Sequence, residues 1–176
     1  MNYSINLTPI EKHNNIFVKR DDLFTVAGVY GGKARSCFAL AQGATGLITA
    51  GSKQSPQVVI VSAIAKFLGV PCRVHVPSGA FTPELTEAKA NGATVIQHKP
   101  GYNSVIIKRA KDDALANPTY TYIPFGMECI EAINQTKHQV QNIPKEVERI
   151  VMPVGSAMSL AGVLWGLYEN KINIPV

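Results

Sequence analysis

The sequence predicts an α/β protein with a parallel sheet flanked by helices. Short apolar runs alternate regularly with longer helical patterns, and the runs are continuously apolar, as strands covered on both faces must be. The punctuation between them is that of helix starts and stops. Strands are expected at Ile16–Lys19, Leu47–Ala50, Cys72–Val76, Thr94–Gln97, Tyr120–Ile123 and Ile150–Val154. Helices are expected near Gly32–Gln42, Pro56–Leu68, Pro83–Asn91, Asn103–Asn117, Met127–Gln141 and Ser156–Asn170. Every crossover between parallel strands should be right-handed.

Each helix boundary has a chemical reason. Ser55-Pro56 reads as an N-cap followed by proline at the first helical position, where its missing N–H costs nothing, and Thr82-Pro83 repeats that chemistry. Gly69, Gly92 and Asn117-Pro118 stand where helices should stop, and Gly43 and Gly46 precede the second strand. The last residues, Ile172-Asn173-Ile174-Pro175-Val176, read as the approach to a further strand, so the sequence is expected to be a fragment or one piece of a split protein.

Composition narrows the classes. With 46% hydrophobic and 16% charged residues over 176 positions, the chain can bury a core without disulfides. Cys37, Cys72 and Cys129 are odd in number and form no C-x-x-C pair, which suits unpaired thiols in a reducing compartment and gives a metal site little support. Residues Met1–Asn6 carry no basic region before an apolar core, and no apolar stretch approaches a bilayer span. The expectation is a cytoplasmic protein with no membrane contact. A net charge of +5 suits an anionic ligand such as a phosphate, with nucleic acid a weaker alternative. The one tight cationic group, Lys108, Arg109 and Lys111, reads as a solvated helix face.

Three segments carry chemistry. Gly31-Gly32-Lys33 is not a P-loop, because Gly28 stands one position too close to Gly32 and Ala34 replaces the required Ser or Thr. By itself it reads as a surface lysine after a turn. Gly155–Gly162 follows an apolar run and opens a helix, where free N–H groups suit a phosphate, and Ser156 and Ser159 can add hydroxyls. A serine-capped turn explains it equally. Gly51–Gln57 has the same form and can grip a carboxylate, although a plain N-cap at Ser55 also accounts for it. Two helix starts and a lysine at carboxyl strand ends would line a crevice of the kind open α/β sheets favour.

In order along the chain, Thr8-Pro9-Ile10-Glu11, Val18-Lys19-Arg20-Asp21-Asp22-Leu23, Gly31-Gly32-Lys33-Ala34-Arg35, Gly51–Gln57, Tyr122–Gly126 and Gly155–Gly162 resemble the motifs of fold-type II pyridoxal-phosphate (PLP) enzymes. The branch most similar is that of D-cysteine desulfhydrase and 1-aminocyclopropane-1-carboxylate (ACC) deaminase, within the tryptophan synthase β-like group. The resemblance implies that Lys33 attaches the cofactor and later moves a substrate proton. It implies that Gly155, Ser156, Ala157 and Ser159 hold the cofactor phosphate. Ser52, Gln54, Ser55 and Gln57 would hold a substrate carboxylate, with Ser55 at the family's reactive serine position. The implied activity is a lyase or deaminase that releases a 2-oxoacid and ammonia from a small amino acid.

The same comparison exposes departures. Pro56 replaces an asparagine that in the family touches the pyridine 3′-oxygen; Met158 and Leu160 replace a glycine and a histidine; the asparagine before the lysine is missing. The family's partner for the pyridine nitrogen and a catalytic tyrosine are expected beyond Val176. Two alternatives therefore stand beside the enzyme: a non-catalytic or partial scaffold, and an enzyme redirected to an unusual substrate such as a modified nucleotide. Residues 1–43 and 145–176 are expected to form an incomplete cofactor lobe and residues 44–144 a smaller α/β lobe. The exposed edge should favour a homo-oligomer or a complementing C-terminal fragment.

Overall fold

The computed structural model describes residues 7–176, so the reading of Met1–Asn6 lies outside the described residues. The chain opens with two small hairpins. Strands β1 (Ile10–His13) and β2 (Ile16–Lys19) pair antiparallel, a short 3₁₀ turn follows at Asp21–Leu23, and β3 (Thr25–Val26) pairs with β4 (Val29–Tyr30). Helix α1 (Gly31–Leu40) then leads to the main sheet through β5 (Leu47–Ala50), α2 (Pro56–Leu68), β6 (Cys72–Pro77), α3 (Pro83–Ala90), β7 (Thr94–His98), α4 (Asn103–Ala116) and β8 (Thr121–Ile123). A 3₁₀ turn at Phe125–Met127, α5 (Ile130–Lys137), another 3₁₀ turn at His138–Val140 and α6 (Met158–Glu169) complete the described elements.

The four-stranded sheet has the order β7-β6-β5-β8 and all its pairs are parallel. From β5 the chain steps outward to β6 and β7, then reverses across the sheet to β8. Right-handed crossovers in opposite directions must use opposite faces. That is what the core shows. Leu47, Cys72, Val74 and Val76 pack with residues of α1, α2 and α3, while Ile48 and Ala50 pack with Ile106 and Ala110 of α4. All four β5 residues are buried, which explains their unbroken apolar run.

The expected caps are in place. Ser55 Oγ accepts from the N–H of Gln57 at 3.3 Å, Thr82 Oγ1 accepts from the N–H of Leu85 at 3.4 Å, and Gly69 closes α2 in the left-handed conformation with φ 70°. Two expectations change. Met127–Gln141 is not one helix: Gly126 and Met127 have positive φ, so α5 starts only at Ile130. Ile150–Val154 is not a strand either. It is largely exposed, and its recorded backbone bond is Ile150 N–H to Pro175 C=O at 2.9 Å, so no ladder forms along it among the described residues. Helices α5 and α6 cross closely, since a side chain at Gly162 would strike Thr136 and one at Gly166 the Lys137 backbone.

A polar seam on the α4 face joins β6, β7 and α4. Arg73 grips Asp113 through Nε at 2.6 Å and Nη2 at 3.0 Å, and Asp113 also meets His75 Nε2 at 2.8 Å. His75 Nδ1 lies 2.8 Å from His98 Nε2, with the rings 11° from parallel and centroids 5.0 Å apart, as for rings joined end to end. With His75 Nε2–H donating to Asp113, its bare Nδ1 accepts from His98 Nε2–H. Burial holds the His75 pKa below its ordinary value, with Asp113 opposing that shift and His98 and Arg73 adding to it.

A depressed histidine pKa means the folded state binds fewer protons than the unfolded one below about pH 6.5. This contribution to stability is complete above that pH and is lost as the pH falls through it. Thermal unfolding between pH 7.5 and 5 should show a falling midpoint for the wild-type chain and a shallower fall for His75→Phe. Equal slopes would place the acid sensitivity elsewhere.

Candidate active site

Lys33 stands in the first turn of α1, exposed, three residues after the end of the β3–β4 hairpin. Gly31 takes φ +84°, a conformation that side chains resist, and so turns the chain from β4 into the helix. A cavity of about 200 Å³ is lined by Lys33 together with the continuous run Pro153–Leu160. The structure thus brings Lys33 to Gly155, Ser156, Ala157 and Ser159, from opposite ends of the chain.

The run at 155–159 has the character of an anion cradle. Ala157 takes the left-handed conformation at φ 61° immediately before α6, so the N–H groups of the first turn follow a sharp bend. The first N–H groups of a helix have no intrahelical acceptor, and this helix has no side-chain cap. Consecutive N–H groups around a left-handed residue form a concavity suited to phosphate. Met158 is half-buried and lines the same cavity, occupying volume that the glycine of the related motif would leave empty.

The second loop lies at the carboxyl end of β5. Ser52 and Gln54 are exposed and Ser55 is half-buried. None of the three lines the Lys33 cavity. They stand between β5 and β8, where the chain reverses its direction across the sheet, which is the topological switch point of an open α/β sheet.

Gln57 behaves differently from its neighbours. It is 2% exposed; Nε2 donates to Thr49 Oγ1 at 2.9 Å and to Pro124 C=O at 2.8 Å, and Oε1 accepts from the Gly126 N–H at 2.9 Å. Thr49 in turn donates to Ile123 C=O at 3.0 Å. Both amide hydrogens are taken within the protein. The expectation that Gln57 presents donors to a carboxylate is therefore corrected: its side chain faces inward, because three elements need a polar bridge where their backbones diverge. Spacing alone signals a glutamine beside the loop but not the direction of its side chain.

Other groups near α1 were not foreseen as a cluster. Arg35, 6% exposed, holds Asp21 through two bonds at 2.6 and 3.1 Å, and its guanidinium lies over the Phe24 ring. Lys19 Nζ donates to Thr8 C=O at 2.9 Å and to Asn142 Oδ1 at 2.7 Å. Its pKa is pulled down to about 8, chiefly by burial, with Asp21 opposing and Arg35 adding. Both acidic and basic partners sit in motifs the sequence displays, but nothing in the spacing reveals that they pair. Cys37 and Cys72 are buried, and burial pushes both thiols up, Cys72 to about 12, so neither is a ready nucleophile.

The model of the family described as "Pyridoxal-phosphate dependent enzyme" matches residues 2–176. The chain belongs to this family. Pyridoxal phosphate is accordingly its cofactor, and the Lys33 cavity supplies what that group requires, an accessible amine and a row of N–H donors. Among solved structures it is similar to an ACC deaminase homologue, at 24% identity and TM-score 0.75, covering 90% of this chain and 53% of that one. It is also similar to the processed form of threonine deaminase isoform 2 from Solanum lycopersicum (17%, TM-score 0.71, 90% and 44%) and to a fungal L-serine ammonia-lyase from Rhizomucor miehei (21%, TM-score 0.65, 97% and 58%). At these identities the likeness is one of fold. The chain spans about half the length of the structures it matches. No curated protein sequence matches it. Among the described residues no helix is long and apolar enough to cross a membrane.

The inward bridge predicts a stability effect without a ligand. Gln57→Leu keeps the volume but removes the donor to Thr49 Oγ1, one of two donors to the Pro124 C=O and the acceptor of the Gly126 N–H, and should cost about 2–3 kcal/mol in urea unfolding. A loss within experimental error would mean that the bridge is dispensable.

Proposed function

We propose that this chain carries the lysine and phosphate-binding portion of a PLP-dependent lyase or deaminase that releases ammonia and a 2-oxoacid from a small amino acid. The observation that supports this most directly is the cavity shared by Lys33 and the 155–159 run. In this reading the N–H groups of the 155–159 turn and the hydroxyls of Ser156 and Ser159 bind the phosphate, and the Lys33 amine forms the covalent link. When bound, the cofactor supplies an electron sink that weakens bonds to the substrate α-carbon. Lys33 Nζ would take and return a proton at that carbon. Ser52, Gln54 and Ser55 orient the substrate carboxylate from the switch point, while Gln57 acts indirectly by fixing the loop they belong to. We assign residues 1–43 and 145–176 to the cofactor lobe and residues 44–144 to the smaller lobe.

A second reading is favoured by two residues, Met158 in the cavity and Pro56 at the first position of α2. Proline offers neither a side-chain donor nor an N–H. The chain would then hold the cofactor without turning over amino acids.

Titration with pyridoxal phosphate should produce a visible absorption that borohydride fixes onto Lys33, and Lys33→Ala should abolish it. Ammonia release from small amino acids by the loaded protein supports the enzyme; adduct without release supports the scaffold. A chain that forms no adduct would falsify both.

A further inference from the structure

We infer that Asp21 is a positioning residue for Lys33: its carboxylate, locked by Arg35, is wedged against the first turn of α1 and sets where the lysine amine stands. The inference rests on the reading of Lys33 as the cofactor lysine. It is carried by a different set of contacts, none of which involves the cavity itself.

The first observation is the lock. Asp21 begins the 3₁₀ turn at Asp21–Leu23, and both of its oxygens are held by Arg35, at 2.6 Å and 3.1 Å. Arg35 is buried and follows Lys33 by two positions, so the ion pair fixes the very turn that bears the lysine. Bidentate pairing with a planar guanidinium sets direction as well as distance. Phe24 beneath the guanidinium limits its movement further, at 5.3 Å from the ring centre.

The second observation is the wedge. A Cβ built on Gly32 would stand 2.7 Å from Asp21 Oδ2 and 3.4 Å from Arg35 Nη2. Gly32, unlike Gly31, does not have positive φ, so its backbone does not call for glycine. What calls for it is space. Asp21 has a short side chain tied at both oxygens, and it cannot swing aside without breaking the pair. The missing asparagine before the lysine thus has a physical counterpart: any side chain at position 32 would occupy the place of the Asp21 carboxylate.

The third observation is charge. Thr8 Oγ1 approaches Asp21 Oδ1 at 3.5 Å, and Lys19 on β2 responds electrostatically to both Asp21 and Arg35. Asp21 thus stands between a cation on β2, Lys19, and a cation on α1, Arg35. Without it, Arg35 and Lys19 would face each other across the start of the helix that carries Lys33.

Two variants test the wedge in the full chain. Gly32→Ala removes no polar group, and helix propensity alone favours alanine. Asp21→Asn keeps the shape and removes the charge. Attachment forms a C=N bond between Lys33 Nζ and the cofactor aldehyde carbon with loss of one water, and its visible absorption and borohydride trapping are read against pyridoxal phosphate concentration. Thermal unfolding without cofactor is measured in parallel, with Leu85→Ala, a remote buried truncation in α3, as the control for lost stability.

Both variants should weaken attachment at least tenfold at a temperature where all proteins are folded, while Leu85→Ala lowers the unfolding temperature and leaves attachment within twofold. Gly32→Ala and Asp21→Asn chains that attach the cofactor as well as wild type would overturn the inference and leave the Lys33 reading intact. Equal weakening in Leu85→Ala would also overturn it, by tracing the effect to stability. A wild-type chain that forms no adduct would remove the reading and the inference together.

Discussion

The buried amide of Gln57 joins three elements at the carboxyl edge of the sheet, and the arrangement of that edge follows from it. Strand β5 must release its backbone into the Ser52–Ser55 loop, β8 must release its own into the Pro124–Met127 turn, and α2 must begin between them. Each departure leaves a polar group behind in an apolar setting. A buried group without a partner costs on the order of 1–3 kcal/mol, a large share of the stability of a domain this size. One side chain with two donors and an acceptor satisfies Thr49, Pro124 and Gly126 together. The loop at the switch point can therefore be polar and exposed while its base stays rigid.

Lys33 is set by a different principle. The loop at the switch point is anchored by neutral hydrogen bonds within the sheet, whereas α1 is fixed at its start by charge. Asp21 and Arg35 stand close enough for strong pairing, and the guanidinium is almost wholly shielded from solvent. Only the arginine side of the pair is buried, Asp21 keeping 41% of its side chain exposed, and desolvation of the guanidinium offsets part of the attraction. Its value lies in geometry, since a bidentate pair tolerates one orientation. On the proposed function, that would suit a helix whose first turn presents the Lys33 amine to the 155–159 run.

Much of the sheet was legible before any coordinates. Leu47–Ala50 is buried on both faces because helices cover both, Cys72–Val76 is apolar on its α2 face and polar at Arg73 and His75 toward α4, and serine- and threonine-proline caps mark α2 and α3. Of the small hairpins only Ile16–Lys19 was read as a strand; Ile10–His13, Thr25–Val26 and Val29–Tyr30 escaped because strands of two to four residues carry too few side chains to establish a period. Ile150–Val154 misled in the opposite sense. Its composition is that of a buried parallel strand, yet composition reports what a segment can pair with and not whether a partner lies alongside. Val151 is accordingly 89% exposed. The crevice expected from Lys33 and the two helix starts is present in part, since Lys33 and the 155–159 run share a cavity that Ser52, Gln54 and Ser55 do not line.

The departures at Pro56 and Met158 act on different steps. Pro56 follows a serine cap at the start of α2, where proline is structurally favourable, so the fold gains nothing from an asparagine there. The donor to the cofactor ring that the resemblance would assign to an asparagine there is one that proline does not offer. Met158 narrows the space beside Lys33, but the N–H groups that suit a phosphate belong to the backbone and survive a change of side chain. On the proposed function, phosphate binding would rest on the main-chain geometry set by Ala157 and α6 and not on the side chain at position 158. On that same proposal, cofactor attachment and turnover would therefore be separable, the first resting on the backbone of the 155–159 run and the second on side chains.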